Sequence, residues 1–266
     1  MYDFTYHRPE SLAQAIELVS AKCEAKLLAG GMSLLPALKL RLARYSDLVD
    51  LKAVSALEGG RREGDKLIIG AMTKHAAVAA SEVVRQAIPA LAVLAGGIGD
   101  PLVRNRGTIG GSIANADPAA DYPSSVLGLG ATVITNKRQI AGDEFFTGLF
   151  ETALQAGEII TAVHFPIPLC AGYAKLLHPA SRFALVGIFV AKTNAGVRVA
   201  VTGAGSSVFR FADAEEALNA DFSPAALDQI SVDADGLNSD IHASAEYRAH
   251  AIVVFAKRAV ASALSR

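Results

Sequence analysis

The sequence predicts an α+β chain in three successive parts, divided near residues 51 and 169. Three observations carry that reading. Runs of helical period alternate with short apolar runs of strand length along the whole chain. Turn-forming residues punctuate it near the second of those places, at Pro166 and Pro168. The longest apolar stretch, 87–99, is cut by Pro89 and three glycines and is too short to span a bilayer.

In order along the chain, Ser11-Leu12-Ala13-Gln14 reads as a capping box, and Leu12, Ile16 and Val19 then fall on one face of a helix running to about Ala21. Residues 25–29 read as a strand, followed at once by Gly30-Gly31-Met32-Ser33 and a helical run through Leu40. With Ser33 as its N-cap, Pro36 falls in the first turn, where a missing N–H is harmless. Residues 47–51 and 67–69 read as strands and 73–80 and 82–95 as helices, the latter with a break near Pro89. Residues 96–125 are dense in Gly, Asp, Pro, Asn and Ser yet neither low-complexity nor highly charged, and read as a long ordered loop segment of the kind that carries function. Strands are expected at 131–135 and 159–165, and Pro166 and Pro168 follow. Beyond them, 183–192 and 196–202 read as strands joined by a turn at Thr193-Asn194-Ala195, with helices at 211–219, 224–230 and 246–263.

Composition excludes several functions. With 266 residues, 52% of them apolar, the chain can bury a substantial core. A formal net charge of −1 with cations spread along the chain leaves no electrostatic footprint for nucleic acid. The absence of Trp argues against a base-stacking platform. Cys23 and Cys170 are too few for a disulfide framework or for the four thiolates of an iron–sulfur cluster, so any such cluster belongs on another chain. Met1-Tyr2-Asp3-Phe4 has no basic n-region or apolar h-region, which sets the cytoplasm as the expected compartment.

Two segments share one local grammar: Ala29-Gly30-Gly31-Met32-Ser33 and Thr108-Ile109-Gly110-Gly111-Ser112. Paired glycines let the backbone take positive φ and approach a ligand, so that consecutive N–H groups form an anion-binding nest. A helix start and flanking hydroxyls add donors. Two such nests suit a diphosphate, with Arg104 and Arg106 as countercharge. Each Gly-Gly-x-Ser is also an ordinary turn sequence, and spacing alone leaves the turn and binding readings level. Asp117 and Asp121, just beyond the second segment, read first as helix caps and second as partners for sugar-like hydroxyls. No P-loop motif occurs. Gly203-Ala204-Gly205 lacks the third glycine of a dinucleotide fingerprint, and the six histidines show no metal-ligand spacing.

The run Gly99-Asp100-Pro101-Leu102-Val103-Arg104-Asn105-Arg106-Gly107-Thr108-Ile109-Gly110-Gly111-Ser112, with the Asp-Pro-x-x-Asp that follows, resembles the FAD-binding medium subunit of molybdenum hydroxylases, the family of carbon monoxide dehydrogenase, xanthine dehydrogenase and aldehyde oxidases. The similarity extends to Tyr6-His7-Arg8-Pro9, Leu28-Ala29-Gly30-Gly31, Leu48-Val49-Asp50-Leu51, Ile69-Gly70-Ala71-Met72-Thr73 and Ala245-Glu246-Tyr247-Arg248.

The resemblance implies two α/β lobes of the PCMH type at 1–51 and 52–169 that clasp FAD, and a C-terminal α+β domain at 170–266. It implies that Ala29, Gly30, Gly31, Met32, Ser33 and Leu34 hold the pyrophosphate together with Thr108, Ile109, Gly110, Gly111 and Ser112. By the same resemblance Asp121 contacts ribityl or ribose hydroxyls and Lys175 lies near the flavin. Met32 stands where many members carry a polar residue such as His, and Phe183 where the carbon monoxide dehydrogenase type has Tyr beside the flavin ring. His178 to Arg182 depart from the basic stretch usual there.

Also implied are a large molybdopterin subunit and a small subunit with [2Fe-2S] clusters, assembled as a dimer of heterotrimers. Electrons pass from those clusters through FAD to an external acceptor, and the complex is open to association with the inner face of the membrane. No residue of this chain is assigned as a general acid or base. The rival readings are a free-standing FAD-dependent oxidase or reductase and a non-catalytic nucleotide-binding subunit.

Overall fold

The computed structural model describes residues 1–265. It begins with a small parallel sheet of β1 (Thr5–His7), β2 (Ala25–Leu28) and β3 (Asp47–Asp50), with β3 in the middle. Helices α1 (Leu12–Ala21) and α2 (Leu34–Lys39) make the crossovers. Ser11 caps α1 through the Gln14 N–H at 3.2 Å, and the Gln14 side chain accepts from the Glu10 N–H at 2.9 Å rather than from the Ser11 N–H that a capping box uses. Side chains fix the order of the strands. Tyr6 donates to Asp50 at 2.6 Å, while His7 and Lys22 both reach the Asp47 carboxylate, at 2.6 and 2.7 Å.

The second sheet is antiparallel, in the order β4 (Gly60–Glu63), β5 (Lys66–Gly70), β10 (Ile160–Pro166), β6 (Thr132–Thr135) and β7 (Gln139–Ala141). Between β5 and β6 run six helices: α3 (His75–Ala80), α4 (Glu82–Ala87), α5 (Pro89–Gly96), α6 (Pro101–Arg104), α7 (Ile109–Asn115) and α8 (Tyr122–Gly128). The expected loop over 96–125 is therefore ordered but largely helical. Two of its three prolines mark helix starts: Pro101 follows Asp100, whose side chain caps the Val103 N–H, and Pro123 falls in the first turn of α8. Helix α9 (Gly142–Phe145) and a two-stranded ribbon of β8 (Phe146–Gly148) and β9 (Glu151–Thr152) complete this part.

The last sheet is an antiparallel meander of β11 (Cys170–Leu177), β12 (Ala184–Thr193), β13 (Gly196–Thr202) and β14 (Phe209–Arg210), followed by α10 (Ala212–Ala220), a 3₁₀ turn at Pro224–Leu227 and the long α11 (Ala245–Leu264). The expected helix at 224–230 is thus only that turn, and β11 had no counterpart in the strand pattern. The sheet is buried on both faces, which explains the nearly continuous apolar run of β12. Val186, Ile188 and Val190 pack with Ile252, Ala256 and Val260 of α11, whereas Phe189 and Ala191 share a core with Leu91, Tyr122 and Val126. Side chains alternate along β11, and Ala171 and Tyr173 lie on that second face, the one turned toward α5 and α8. Arg248 of α11 is buried and donates to the carbonyls of Leu185 and Gly203 and to Asp240, which makes the C-terminal motif a structural one. Among the described residues no helix is long and apolar enough to cross a membrane.

Candidate functional site

The first glycine segment leaves β2 and enters α2 at Leu34. Gly31 takes φ +75°, the left-handed region that favours glycine. At Gly30 a Cβ would lie 2.2 Å from the Arg106 carbonyl oxygen, so only glycine lets the two segments meet there. The Gly31 and Ser33 carbonyls accept from the Leu35 and Ala37 N–H groups. Among the described residues, the N–H groups of Gly30, Gly31, Met32 and Ser33 have no protein acceptor. Ser33 occupies the expected N-cap place, but in helical conformation and with no capping bond from its hydroxyl. Four consecutive free donors around a positive-φ residue are an anion nest.

The second segment is built differently from the expectation. Thr108 is the N-cap of α7, accepting from the Gly111 N–H at 3.1 Å, and neither Gly110 nor Gly111 has positive φ. The Ile109 N–H donates to Thr73, that of Gly110 to Ala71 at 2.8 Å, and that of Ser112 to Thr108. Every N–H from Ile109 to Ser112 is thereby spent inside the protein, so this pair of glycines is no second nest. Its smallness serves packing instead. A Cβ on Gly110 would meet Ala71 at 2.6 Å, and one on Gly111 would come within 3.2 Å of the Ala29 side chain. The Ile69 to Thr73 motif forms the socket into which α7 is keyed, and α7 in turn abuts the first segment. The half-buried Ser112 side chain remains available to a ligand.

Between the two segments lies a cleft lined by Ala29, Gly30, Lys52, Glu58, Met72, Lys74, Arg106 and Thr108. Three cations against one carboxylate favour an anion in it. Arg106 was legible from sequence as countercharge. Arg104 turns away and spends its guanidinium on the carbonyls of Ile98 and Gly99, at 3.0 and 2.9 Å. Lys52 and Lys74 carried no sequence signal, since each is brought here only by the turn that follows its strand. His75 supports the arrangement from below. Its N–H donates to the Gly107 carbonyl, its ring is buried against Tyr122, and burial together with the Arg104 charge lowers its pKa to about 4, which keeps it neutral.

Asp117 and Asp121 part company. The Asp117 carboxylate closes a turn by accepting from the Ala119 N–H at 2.9 Å. Asp121 stands at the start of α8 but caps nothing. Its Oδ1 accepts instead from the Tyr173 hydroxyl at 2.6 Å and the Lys175 ammonium at 2.7 Å. Both partners of the ion pair are almost wholly buried, with side-chain exposures of 7% for Lys175 and 3% for Asp121. Burial pushes the Asp121 carboxyl above its usual range, against the pull of the Lys175 charge and of the two hydrogen bonds. The residue expected at the ribityl or ribose hydroxyls and the residue expected near the flavin are thus brought together. Met32 is exposed beside the nest, and Leu34 opens α2.

Comparison with known proteins places the chain in a family. The family model described as the FAD binding domain in molybdopterin dehydrogenase matches residues 2–168. The chain belongs to this family. It is 36% identical over 98% of its length to the nicotine 6-hydroxylase medium subunit of Paenarthrobacter nicotinovorans, covering 97% of that protein. It is 35% identical to the carbon monoxide dehydrogenase medium chain of Afipia carboxidovorans, over 99% of this chain and 97% of the other. A reconstituted CO dehydrogenase structure from Oligotropha carboxidovorans superposes with a TM-score of 0.91 at 31% identity, covering 100% of this chain and 99% of that one. As a member of the molybdopterin dehydrogenase FAD-binding family, the chain is an FAD-binding component of a multi-subunit oxidoreductase.

Proposed function

We propose that this molybdopterin dehydrogenase FAD-binding chain is the electron-transfer subunit of a molybdenum hydroxylase, standing between [2Fe-2S] clusters on a small partner subunit and an external acceptor, with molybdopterin on a large partner subunit. The reading divides it into FAD-binding lobes at 1–51 and 52–169 and a C-terminal domain at 170–266. The observation that carries it is the row of four free N–H groups at Gly30 to Ser33, set against a cleft with Lys52, Lys74 and Arg106. A diphosphate needs closely spaced donors and countercharge, and these residues fit it. Ala29 and Leu34 frame the nest, and Met32 contributes its backbone. Thr108, Ile109, Gly110 and Gly111 hold α7 against the nest, where the Ser112 hydroxyl adds a donor. Asp121 and Lys175 stand on the flavin side.

When bound, FAD supplies the redox chemistry. The chain's own residues supply grip and orientation. Two free cysteines, Cys23 exposed and Cys170 half-buried, leave cluster ligation to a partner, in keeping with the names of the relatives as medium subunits. A dimer of heterotrimers follows the same analogy. The full chain, reconstituted with FAD and titrated anaerobically with dithionite, is expected to bleach reversibly and to recover on addition of ferricyanide. Bound FAD that cannot be reduced would favour a non-catalytic nucleotide-binding subunit, and turnover of an organic substrate by the isolated chain would favour a free-standing oxidase.

A further inference from the structure

Lys175 ties together three stretches of chain that are far apart in sequence. Its ammonium donates to the Gly97 carbonyl at 2.9 Å, to Asp121 at 2.7 Å and to the Arg182 carbonyl at 2.9 Å. An ammonium has three N–H donors, and all three are used. Gly97 and Asp121 bracket the stretch that holds Arg106 and the whole second glycine segment, so one buried side chain fastens both ends of it. The third bond reaches the hairpin between β11 and β12, where Arg182 takes φ +63° and Phe183 is exposed.

The C-terminal sheet grips the same end of this stretch through its backbone as well. The Gly203 N–H donates to the Pro118 carbonyl at 2.7 Å, the Thr202 hydroxyl to those of Pro118 and Ala120 at 2.9 and 2.7 Å, and the Ala184 N–H to that of Ala119 at 3.3 Å. Arg104, inside the bracket, holds the Ile98 and Gly99 carbonyls beside the Gly97 anchor.

We propose that Lys175 is a positioning residue that staples the 97–121 stretch at both ends to the C-terminal sheet, so that the second lobe's share of the FAD site is set by a domain outside the FAD-binding lobes. The inference rests on the FAD reading above for its effect on binding, but not for its effect on the stretch itself. Lys175 acts through the backbone that presents Arg106, Thr108 and Ser112, and Tyr173 steadies the Asp121 end from the same strand face. The staple also joins the hairpin tip to the glycine segment, so a shift of either is felt by the other.

Removing Lys175 alone would strand a buried carboxylate, a cost that any structural ion pair would show. The informative variant is therefore Lys175→Met combined with Asp121→Asn, which removes the staple without leaving a charge. In the full chain without FAD, amide hydrogen exchange over 97–112 is expected to rise at least tenfold in the double variant while exchange at 29–34 is unchanged, and FAD affinity is expected to fall about tenfold. Wild-type exchange over 97–112 in the double variant would overturn the proposal whatever the FAD affinity, because the lysine would then serve only to neutralise Asp121. Should the double variant not fold, Lys175→Gln combined with Asp121→Asn leaves no charge unpaired and keeps at most two of the three bonds. A rise of about threefold in the same exchange window is expected, and wild-type exchange there would overturn the staple. Failure of the unaltered chain to bind FAD would defeat the FAD reading, and the exchange result would still decide the staple.

Discussion

The two glycine segments read alike in sequence and do opposite things with their backbone. Around Gly30 and Gly31 the chain turns through positive φ at Gly31 and, among the described residues, leaves four N–H groups without a partner. Around Gly110 and Gly111 it is helical and satisfies every one. The first segment offers polarity to a ligand, and the second offers smallness to its neighbours. A Gly-Gly pair flanked by a hydroxyl does not specify which of the two it will be. The difference comes from the socket, since the Ala71 and Thr73 carbonyls accept from α7, whereas among the described residues no protein group accepts from the N–H groups of Gly30 to Ser33.

Substitutions can break this comparison, beginning with the largest effect. Gly30→Ala places a methyl group into the Arg106 carbonyl at the junction of the two segments. It is expected to abolish FAD binding and to cost about 3 kcal/mol of stability, measured by flavin fluorescence titration and urea unfolding. Gly110→Ala drives a Cβ into Ala71. It is expected to cost roughly 2 kcal/mol in unfolding while the folded fraction loses less FAD affinity than Gly31→Ala does. A selective loss of affinity instead would show that the second segment is a nest after all.

Gly31→Ala must hold a left-handed φ, at about 1 kcal/mol. Its expected signature is the reverse of that of Gly110→Ala, with a loss of FAD affinity of about thirtyfold, roughly 2 kcal/mol, exceeding the loss of stability. Acid unfolding supplies the control lying in neither segment. Burial raises the Glu158 pKa, but Arg138, the Gln155 N–H and the Thr135 hydroxyl outweigh it and bring the group from 4.5 to about 2. Its folded pKa lies below the unfolded value, so the stabilisation is complete above about pH 4.5 and is lost as pH falls toward 2. Glu158→Gln is expected to flatten the acid limb of stability against pH without altering FAD affinity at neutral pH.

Where hydrophobic periodicity was strong, the sequence was legible. Helices α1 and α11, the strands at 47–50 and 196–202, and the break at Pro89 stand close to where the pattern puts them. Strand β4 escaped because Gly60-Arg61-Arg62-Glu63 is exposed throughout and has no apolar face to alternate. Strand β11 escaped because its small residues, Ala171, Gly172 and Ala174, have weak strand propensity, and close packing on both faces decides its conformation. Prolines and glycines over 96–125 read as loop punctuation where they mark helix starts and tight contacts. The first glycine segment and Arg106, which the structure brings to one cleft, could be picked out as candidates because their signal is local. Lys52, Lys74 and the pairing of Asp121 with Tyr173 and Lys175 could not, because each depends on elements meeting across the fold.

The most direct test of the first segment as the diphosphate grip is a titration of the purified, cofactor-free full chain with FAD and with FMN, followed by absorbance and flavin fluorescence. The account expects tight FAD binding, FMN binding weaker by at least a hundredfold, and an FAD affinity that declines with added salt because Lys52, Lys74 and Arg106 meet the diphosphate. Equal affinity for FAD and FMN, or an FAD affinity indifferent to salt, would contradict it.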